Sequence, residues 1–431
     1  MASSTLDEFK DGFFLSESNP CANVDQRDIE DVAMRLIRRP EVERARAHAS
    51  LLWRSVAEYT AGPQMSRFEE MMDDYTFNYA LKAANGDPTR PRVLRSYVPA
   101  ANWFGRDVPG SRWGGDNPDN AYRLIPIAAE GRYEVHGRRM PGGIANVTYA
   151  LVANSATSVT LSLLEDRDLK LQPDGGFVIT VDDRPADGLV NHIQNKPGAL
   201  FLFIRDASGD WQKETPNALR VKRLDIGPGT AASEADMAEL AAKYMVADVY
   251  LLYWFTRLNY NMPINVMREP RGSGAVGGLR SQMGSQGTIR LADDEAMIIT
   301  STSGGAAYRG IVLHDIWYRA IEYWKRQTSL NTAQMVPDAD GRYTFVVAHA
   351  DPGVANWLDT GGLGEVFALH RWQGLSPTGG GHAAPTIHSE VIKLKDLDSR
   401  LPPGVQRIGS AERRQGLEQR LAAYQRRFVD R

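Results

Sequence analysis

Asp174-Gly-Gly-Phe-Val-Ile-Thr-Val181 and Asp340-Gly-Arg-Tyr-Thr-Phe-Val-Val347 are two versions of one passage, 166 residues apart (340 minus 174). Each is a turn signal running into a short stretch of β-branched and aromatic residues, which is strand chemistry. The likeness continues downstream. Asp187-Gly188 and Asn191-His192 correspond to Asp351-Pro-Gly353 and Asn356-Trp357 after a one-residue gap, and Gly198, Phe201 and Arg205 correspond to Gly364, Phe367 and Arg371, again at 166. Order, spacing and residue character agree, which implies an internal duplication. Two similar β-domains in tandem follow.

The sequence around the repeat predicts an α+β chain, mainly β with helical additions. Residues 1–92 form an N-terminal helical layer, with Ile29, Val32, Leu36 and Ile37 at helical spacing. Residues 93–230 form the first sandwich or jelly-roll-like domain, in which Phe177–Val181 (FVITV) and Leu200–Ile204 (LFLFI) are strand-length apolar runs. Residues 231–287 are a helical insertion, with Ser233 as its cap and Glu234 and Asp236 in its first turn, followed by a glycine-rich loop from Arg271 to Gly287. Residues 288–394 form the second sandwich. Residues 395–431 carry an amphipathic helix whose stripe is Leu417, Leu421, Tyr424 and Phe428, to be buried on this chain or in a homo-oligomer.

Composition narrows the class. A chain of 431 residues is long for one core, and a formal charge of -3 leaves no basic footprint for nucleic acid. The single cysteine, Cys21, allows no intrachain disulfide and no cysteine-based zinc site. Met245–Phe255, the most apolar stretch, is interrupted by Asp248 and is far shorter than the roughly 20 residues of a membrane span. The opening residues MASSTLDEFKDGFF lack a basic start and an apolar core, so a cytoplasmic protein is expected.

Several motifs occur together in one order: Asn117-Pro-Asp-Asn120 before a strand, Arg205 followed by Asp210-Trp211, and DPGVANWLDT (351–360) followed by Arg371-Trp372. In these, roughly residues 100 to 375, the chain resembles the bacterial DUF 1214 family (domain of unknown function), often found beside DUF 1254. The resemblance implies a β-rich sandwich or jelly-roll fold and says little about chemistry. His192 stands where the motif has tryptophan.

Candidate chemistry is sparse. Gly272-Ser-Gly274-Ala-Val-Gly277 matches a dinucleotide fingerprint in letters, yet neither a buried strand nor a helix flanks it, so no cofactor is expected. No metal site is expected either, since His382, His388 and Glu390 lack rigid spacing. Two places suit a site. Strand alternation puts Tyr343, Phe345, Val347 and His349 on one apolar face, and Phe177, Ile179, Val181 and Asp183 on its counterpart, so each face ends in an ionisable group. The helix around Tyr250, Tyr253 and Trp254, with Asp248 embedded, suits the wall of a pocket between the β-domains. His349, Asp248, His314, Asp315 and Asp183 are the candidate acids and bases. Trp357, Asn356, Trp254, Tyr250, Tyr253 and Arg371 are the candidate ligand contacts, with Trp357 read either as a lid over a sandwich edge or as a ligand wall. The expectation is a cofactor-independent lyase, isomerase or hydrolase for a lipophilic or aromatic small molecule, the alternatives being a non-catalytic binder and a carbohydrate-active protein.

Overall fold

Two nine-stranded sandwiches, sharing the connectivity of eight strands each, dominate the computed structural model, which describes residues 11–57, 63–154, 159–227, 229–272, 279, 281–376 and 381–427. In the first, one sheet runs in the order β1 (Leu94–Ser96), β4 (Asn120–Pro126), β10 (Phe201–Ala207), β6 (Asn146–Val152), β7 (Thr160–Glu165). Its partner sheet runs β11 (Ala218–Arg223), β5 (Tyr133–Arg138), β8 (Gly176–Asp182), β9 (His192–Gln194). A small hairpin of β2 (Ala101–Trp103) and β3 (Arg106–Val108) lies outside both.

The second sandwich repeats the order. Its first sheet runs β12 (Arg271–Gly272), β13 (Met283–Arg290), β19 (Glu365–Gln373), β15 (Tyr308–His314), β16 (Ser329–Asn331). Its second runs β18 (Trp357–Asp359), β17 (Tyr343–Ala348), β14 (Glu295–Ser301), β20 (Ile387–Lys393). Strands β4 to β11 map one by one onto β13 to β20, and the parallel pair β8/β9 has its counterpart in the parallel pair β17/β18. Asn191 and Asn356 show the copying at atomic level. Asn191 donates to the Lys170 carbonyl (2.8 Å) and accepts its N–H (2.8 Å), while Asn356 donates to the Val336 carbonyl (2.7 Å) and accepts its N–H (2.9 Å). Asn356 therefore spends its side chain on a backbone clamp.

The apolar run LFLFI has a physical reason. Leu202 and Ile204 fill the first sandwich, whereas Phe201 and Phe203 point out of it into the helical layer, so this sheet is buried on both faces. That layer comprises α1 (Val24–Leu36), α2 (Pro40–Ala57), α3 (Phe68–Ala84) and the long α4 (Glu234–Tyr260). Ser233 and Asp236 close a capping box on α4 as the sequence leads one to expect. The glycine-rich segment is shorter than read from sequence, because residues 283–287 belong to β13. Gly287 is needed there for close approach: a Cβ would lie 2.6 Å from the Val266 carbonyl oxygen. Gly274 and Gly277 of the fingerprint lie outside the described residues.

After the short α5 (Leu397–Arg400), the C-terminal α6 (Ser410–Gln425) straps this chain's own sandwiches, with a buried face unlike the expected stripe. Arg413, Arg420, Ala423 and Tyr424 are buried, Leu417 is half-buried, and Leu421 is exposed. Arginine replaces leucine because its stem covers apolar surface while its head bonds carbonyls. Arg420 donates to the Tyr323 carbonyl and to Ser329 Oγ (2.5 Å) and lies 4.6 Å from the Trp211 ring centroid. Phe428 lies outside the described residues.

Trp357 belongs to the same covering. It packs on the outer face of the second sandwich with Ile298, Val346, Ile392 and Leu397, donates its indole N–H to the Ala348 carbonyl (3.0 Å), and faces the Arg413 guanidinium at 5.2 Å. The C-terminal segment is laced to its loop through Ala355 N–H to Gln406 O (2.9 Å) and Ile408 N–H to Gly353 O (3.0 Å). His192, its counterpart in the first sandwich, is tied into polar contacts instead, to Thr180 Oγ1 (2.7 Å) and the Arg184 carbonyl (2.9 Å). Trp357→Ala is expected to cost about 3–5 kcal/mol in urea unfolding, as truncating a buried aromatic does; a change below about 1 kcal/mol would contradict the covering role.

Candidate functional site

Residues 111–120 run from the helical layer into the first strand of the duplicated unit, and they are tied down at both ends. Asp119 is 1% exposed and sits between the sandwiches. Its Oδ1 accepts the Trp211 indole N–H (2.6 Å) and Asn331 Nδ2–H (2.9 Å), and its Oδ2 accepts the Tyr308 hydroxyl (2.6 Å). Asn117 donates to the same Tyr308 oxygen (2.7 Å). The Asn117–Asn120 and Asp210-Trp211 motifs thus meet at one seam.

At the other end lies a buried ion cluster. Asp74 on α3 pairs with Arg112 (3.1 Å) and Arg319 (2.9 Å), and Arg319 pairs with Asp315 (3.1 Å). Gly115 N–H donates to the Tyr318 carbonyl (2.7 Å), Arg112 to the Ala320 carbonyl (3.0 Å), and Ala320 N–H to Asp116 Oδ1 (2.9 Å). Residues 112–116 are thereby zipped to residues 315–320.

This zipper forms one wall of a cavity of about 780 Å³ at the junction of the two sandwiches. Tyr122, Phe203 and Arg205 come from the first sandwich, and Gly284, Leu369 and Arg371 from the second. Leu252 and Phe255, near the end of α4, close another side. Phe255, Met262 and Val266 both line the cavity and are exposed, so its mouth is apolar. Two of the walls are strained: Tyr97 and Tyr318 hold positive φ angles of 65° and 61°. Such conformations cost roughly 1–3 kcal/mol and persist where the surroundings over-determine them. Tyr97 stacks on Phe203 and Tyr318 on Phe367, the latter at 4.3 Å between centroids.

Several polar groups in the wall of this cavity are buried without partners. Asp116 is 3% exposed; its Oδ1 is bonded to Ala320, while Oδ2 has no hydrogen-bond partner. Burial pushes the Asp116 carboxyl up to about 7, against the Ala320 N–H and the Arg112 charge. Asn120 Oδ1, Tyr318 Oη, Arg205 Nη1 and Arg371 Nη1 are also buried atoms without partners. Behind Asp116, His314 donates its Nε2–H to the Asp116 main-chain oxygen (2.8 Å). Burial, reinforced by Arg371, lowers this imidazole to about 3, so it is neutral at physiological pH.

Of the residues singled out from sequence, Arg371 lines the cavity and His314 supports its wall. Asp315 lies in the ion cluster, where its Oδ1 also accepts the Trp317 and Arg319 N–H groups. Asp248 is buried in the helical layer among the tyrosines: burial first, and then the Asp248 charge, raises Tyr75, Tyr79 and Tyr244. Tyr250 bonds His48 Nε2 (2.8 Å), Tyr253 lies beside Ser55 (3.3 Å), and Trp254 is 63% exposed, so α4 serves the cavity through Leu252 and Phe255 instead. His349 is half-buried and holds Thr360 Oγ1 (2.7 Å) and the Leu291 carbonyl (3.2 Å), and Asp183 is exposed. Neither of these lines the cavity, nor do Trp357 and Asn356. Sequence reading missed Asp116, Tyr318 and Arg205. Asp116 reads as a turn residue in Gly114-Gly115-Asp116, whereas Arg205 was findable as the repeat partner of Arg371.

A solved structure of an uncharacterized protein from Burkholderia cenocepacia shares this fold, with a TM-score of 0.69 and 22% identity over 85% of this chain and 100% of its own. A protein from Vibrio parahaemolyticus aligns with a TM-score of 0.43 and 12% identity over 82% of this chain and 100% of its own. No family model matches the sequence, and no curated protein does.

The raised Asp116 pKa has a consequence for stability. A carboxyl at about 7 in the fold and near 3.8 when unfolded stabilises the fold fully below pH 3.8, and that contribution is lost as pH rises through 7. Between pH 5 and 8 the native protein is expected to lose about 2–3 kcal/mol relative to Asp116→Asn in urea unfolding. Parallel pH profiles for the two proteins would contradict the assignment.

Proposed function

We propose that this protein is a cofactor-independent enzyme, of lyase, isomerase or hydrolase type, that acts on a lipophilic or aromatic small molecule in the junction cavity. The observation that carries this reading is Asp116, a buried carboxyl in the cavity wall with one oxygen held by Ala320 N–H, the other left without a hydrogen-bond partner, and a pKa pushed up to about 7. Such a group gives and takes a proton with nearly equal ease at neutral pH. Tyr97, Trp113, Phe203, Leu252 and Phe255 supply the apolar walls, and the volume is that of ordinary small-molecule sites. A glycosidase, by contrast, works with two carboxyls across its substrate. Among the described lining residues Asp116 is the sole buried carboxyl, Glu269 being exposed at the rim. Membership of DUF 1214 is part of the same proposal, supported by the meeting of its Asn117–Asn120 and Asp210-Trp211 motifs at the seam beside Asp116.

The test is comparative turnover. The wild-type protein and Asp116→Asn are incubated with a lipophilic metabolite extract and followed by mass spectrometry. Wild type is expected to convert a compound that the variant binds but converts roughly 10²–10⁴ times more slowly. Equal conversion by both contradicts the role of Asp116. Retention of one compound by both, with conversion by neither, identifies a binding protein instead.

A further inference from the structure

Arg205 and Arg371 are the same residue of the duplicated unit. Each lies on the strand that occupies the middle of its cavity-facing sheet, β10 and β19. Alternation directs each outward with an apolar neighbour two positions before it, Phe203 and Leu369, while Ile204 and Trp372 turn into the sandwich cores. The pseudo-symmetry of the fold therefore brings two guanidiniums to one cavity from opposite sandwiches.

Their surroundings differ from those of the buried arginines that build the fold. Arg123 pairs with Asp206, and Arg112 and Arg319 pair with Asp74. Arg205 and Arg371 form no ion pair with a carboxylate among the described residues. Arg205 rests on the Phe203 ring at 4.1 Å, and Arg371 donates from Nη2 to the Gly115 carbonyl (2.6 Å). Each leaves Nη1 buried without a partner. Burial lowers Arg205, and the Arg371 charge adds to that effect. Two cations held together in a half-buried site repel each other, and an anion placed between them relieves the repulsion and offers the guanidiniums an acceptor. Planar forks with free N–H groups suit a carboxylate.

We infer that Arg205 and Arg371 together clamp the carboxylate of the ligand, so that the substrate class is an aromatic or long-chain carboxylic acid whose apolar body lies along Tyr97, Phe203 and Phe255. This inference rests on the junction cavity being the ligand site of the proposed enzyme, and it holds whether or not turnover follows binding.

The experiment is calorimetry on the full chain with 1-naphthoate, 4-phenylbenzoate and decanoate, each beside its neutral carboxamide, and with phenyl phosphate as the alternative anion. At least one carboxylate is expected to bind at least tenfold more tightly than its carboxamide and than phenyl phosphate. Arg205→Gln and Arg371→Gln are each expected to weaken that binding at least tenfold. Arg205→Lys, which keeps the charge and loses the fork, should lie between, and Arg184→Gln on the distant surface should bind as wild type does. Circular dichroism and unfolding midpoints confirm that the variants are folded. Carboxamides binding as well as acids, preference for the phosphate, Gln variants binding undiminished, or no binding by any probe would each overturn the clamp. Carboxylate binding without any conversion would instead overturn the enzymatic reading and leave the clamp in place.

Discussion

Asp74 and its two arginines set the geometry on which the cavity depends. Arg112, Asp74, Arg319 and Asp315 are each 3% exposed or less, so their charges have been taken out of water and must satisfy one another. Removing one member of such a cluster costs about 3–5 kcal/mol because the remainder is left buried and unpaired. The cluster also dictates its neighbours. Gly110 must lack a side chain, since a Cβ there would stand 1.9 Å from Asp74 Oδ1. With α3, residues 110–116 and residues 315–320 held in one register, Asp116 and Tyr318 have no freedom to leave the cavity wall. The strained φ at Tyr318 is stabilised by this register, because Asp315 binds the N–H groups of Trp317 and Arg319 on either side of it.

Duplication supplies the rest of the site. The two copies keep strand order, the parallel edge pair and the asparagine clamp, and they diverge where their environments differ. The second copy is covered by the C-terminal segment, so Trp357 stands where the first copy, lacking that cover, has His192. Arg205 and Arg371 remain alike because both face the same space. An internal repeat thus distinguishes positions that serve the sandwich from positions that serve the junction.

Much of the architecture was legible in the sequence. The repeat, the turn residues around each strand, the Ser233 cap and the strand-length apolar run Leu200–Ile204 are all displayed directly in the residues. The site was harder to read. Asp116, Tyr318 and Arg205 come together from segments far apart in the chain, and nothing near Gly114-Gly115-Asp116 reports its later burial against Ala320. His349, Trp357 and Asp248 drew attention by residue type, but their partners Thr360, Arg413 and Tyr79 engage them in the fold. The C-terminal stripe misled for a related reason: the buried face uses arginine stems, which hydrophobic patterning does not register. The inserted helix reaches the junction cavity through Leu252 and Phe255 near its end, and not through Tyr250, Tyr253 and Trp254, which residue type alone favours.

The junction of the two sandwiches is proposed as a ligand site with a cationic end and an apolar end. Anomalous scattering from crystals soaked with 4-bromobenzoate tests it most directly. One bromine peak is expected against Tyr97, Phe203 and Phe255, with carboxylate density between Arg205 and Arg371. A cavity without a peak at saturating ligand, or a bromine at the arginines with the carboxylate facing the aromatic wall, would contradict it.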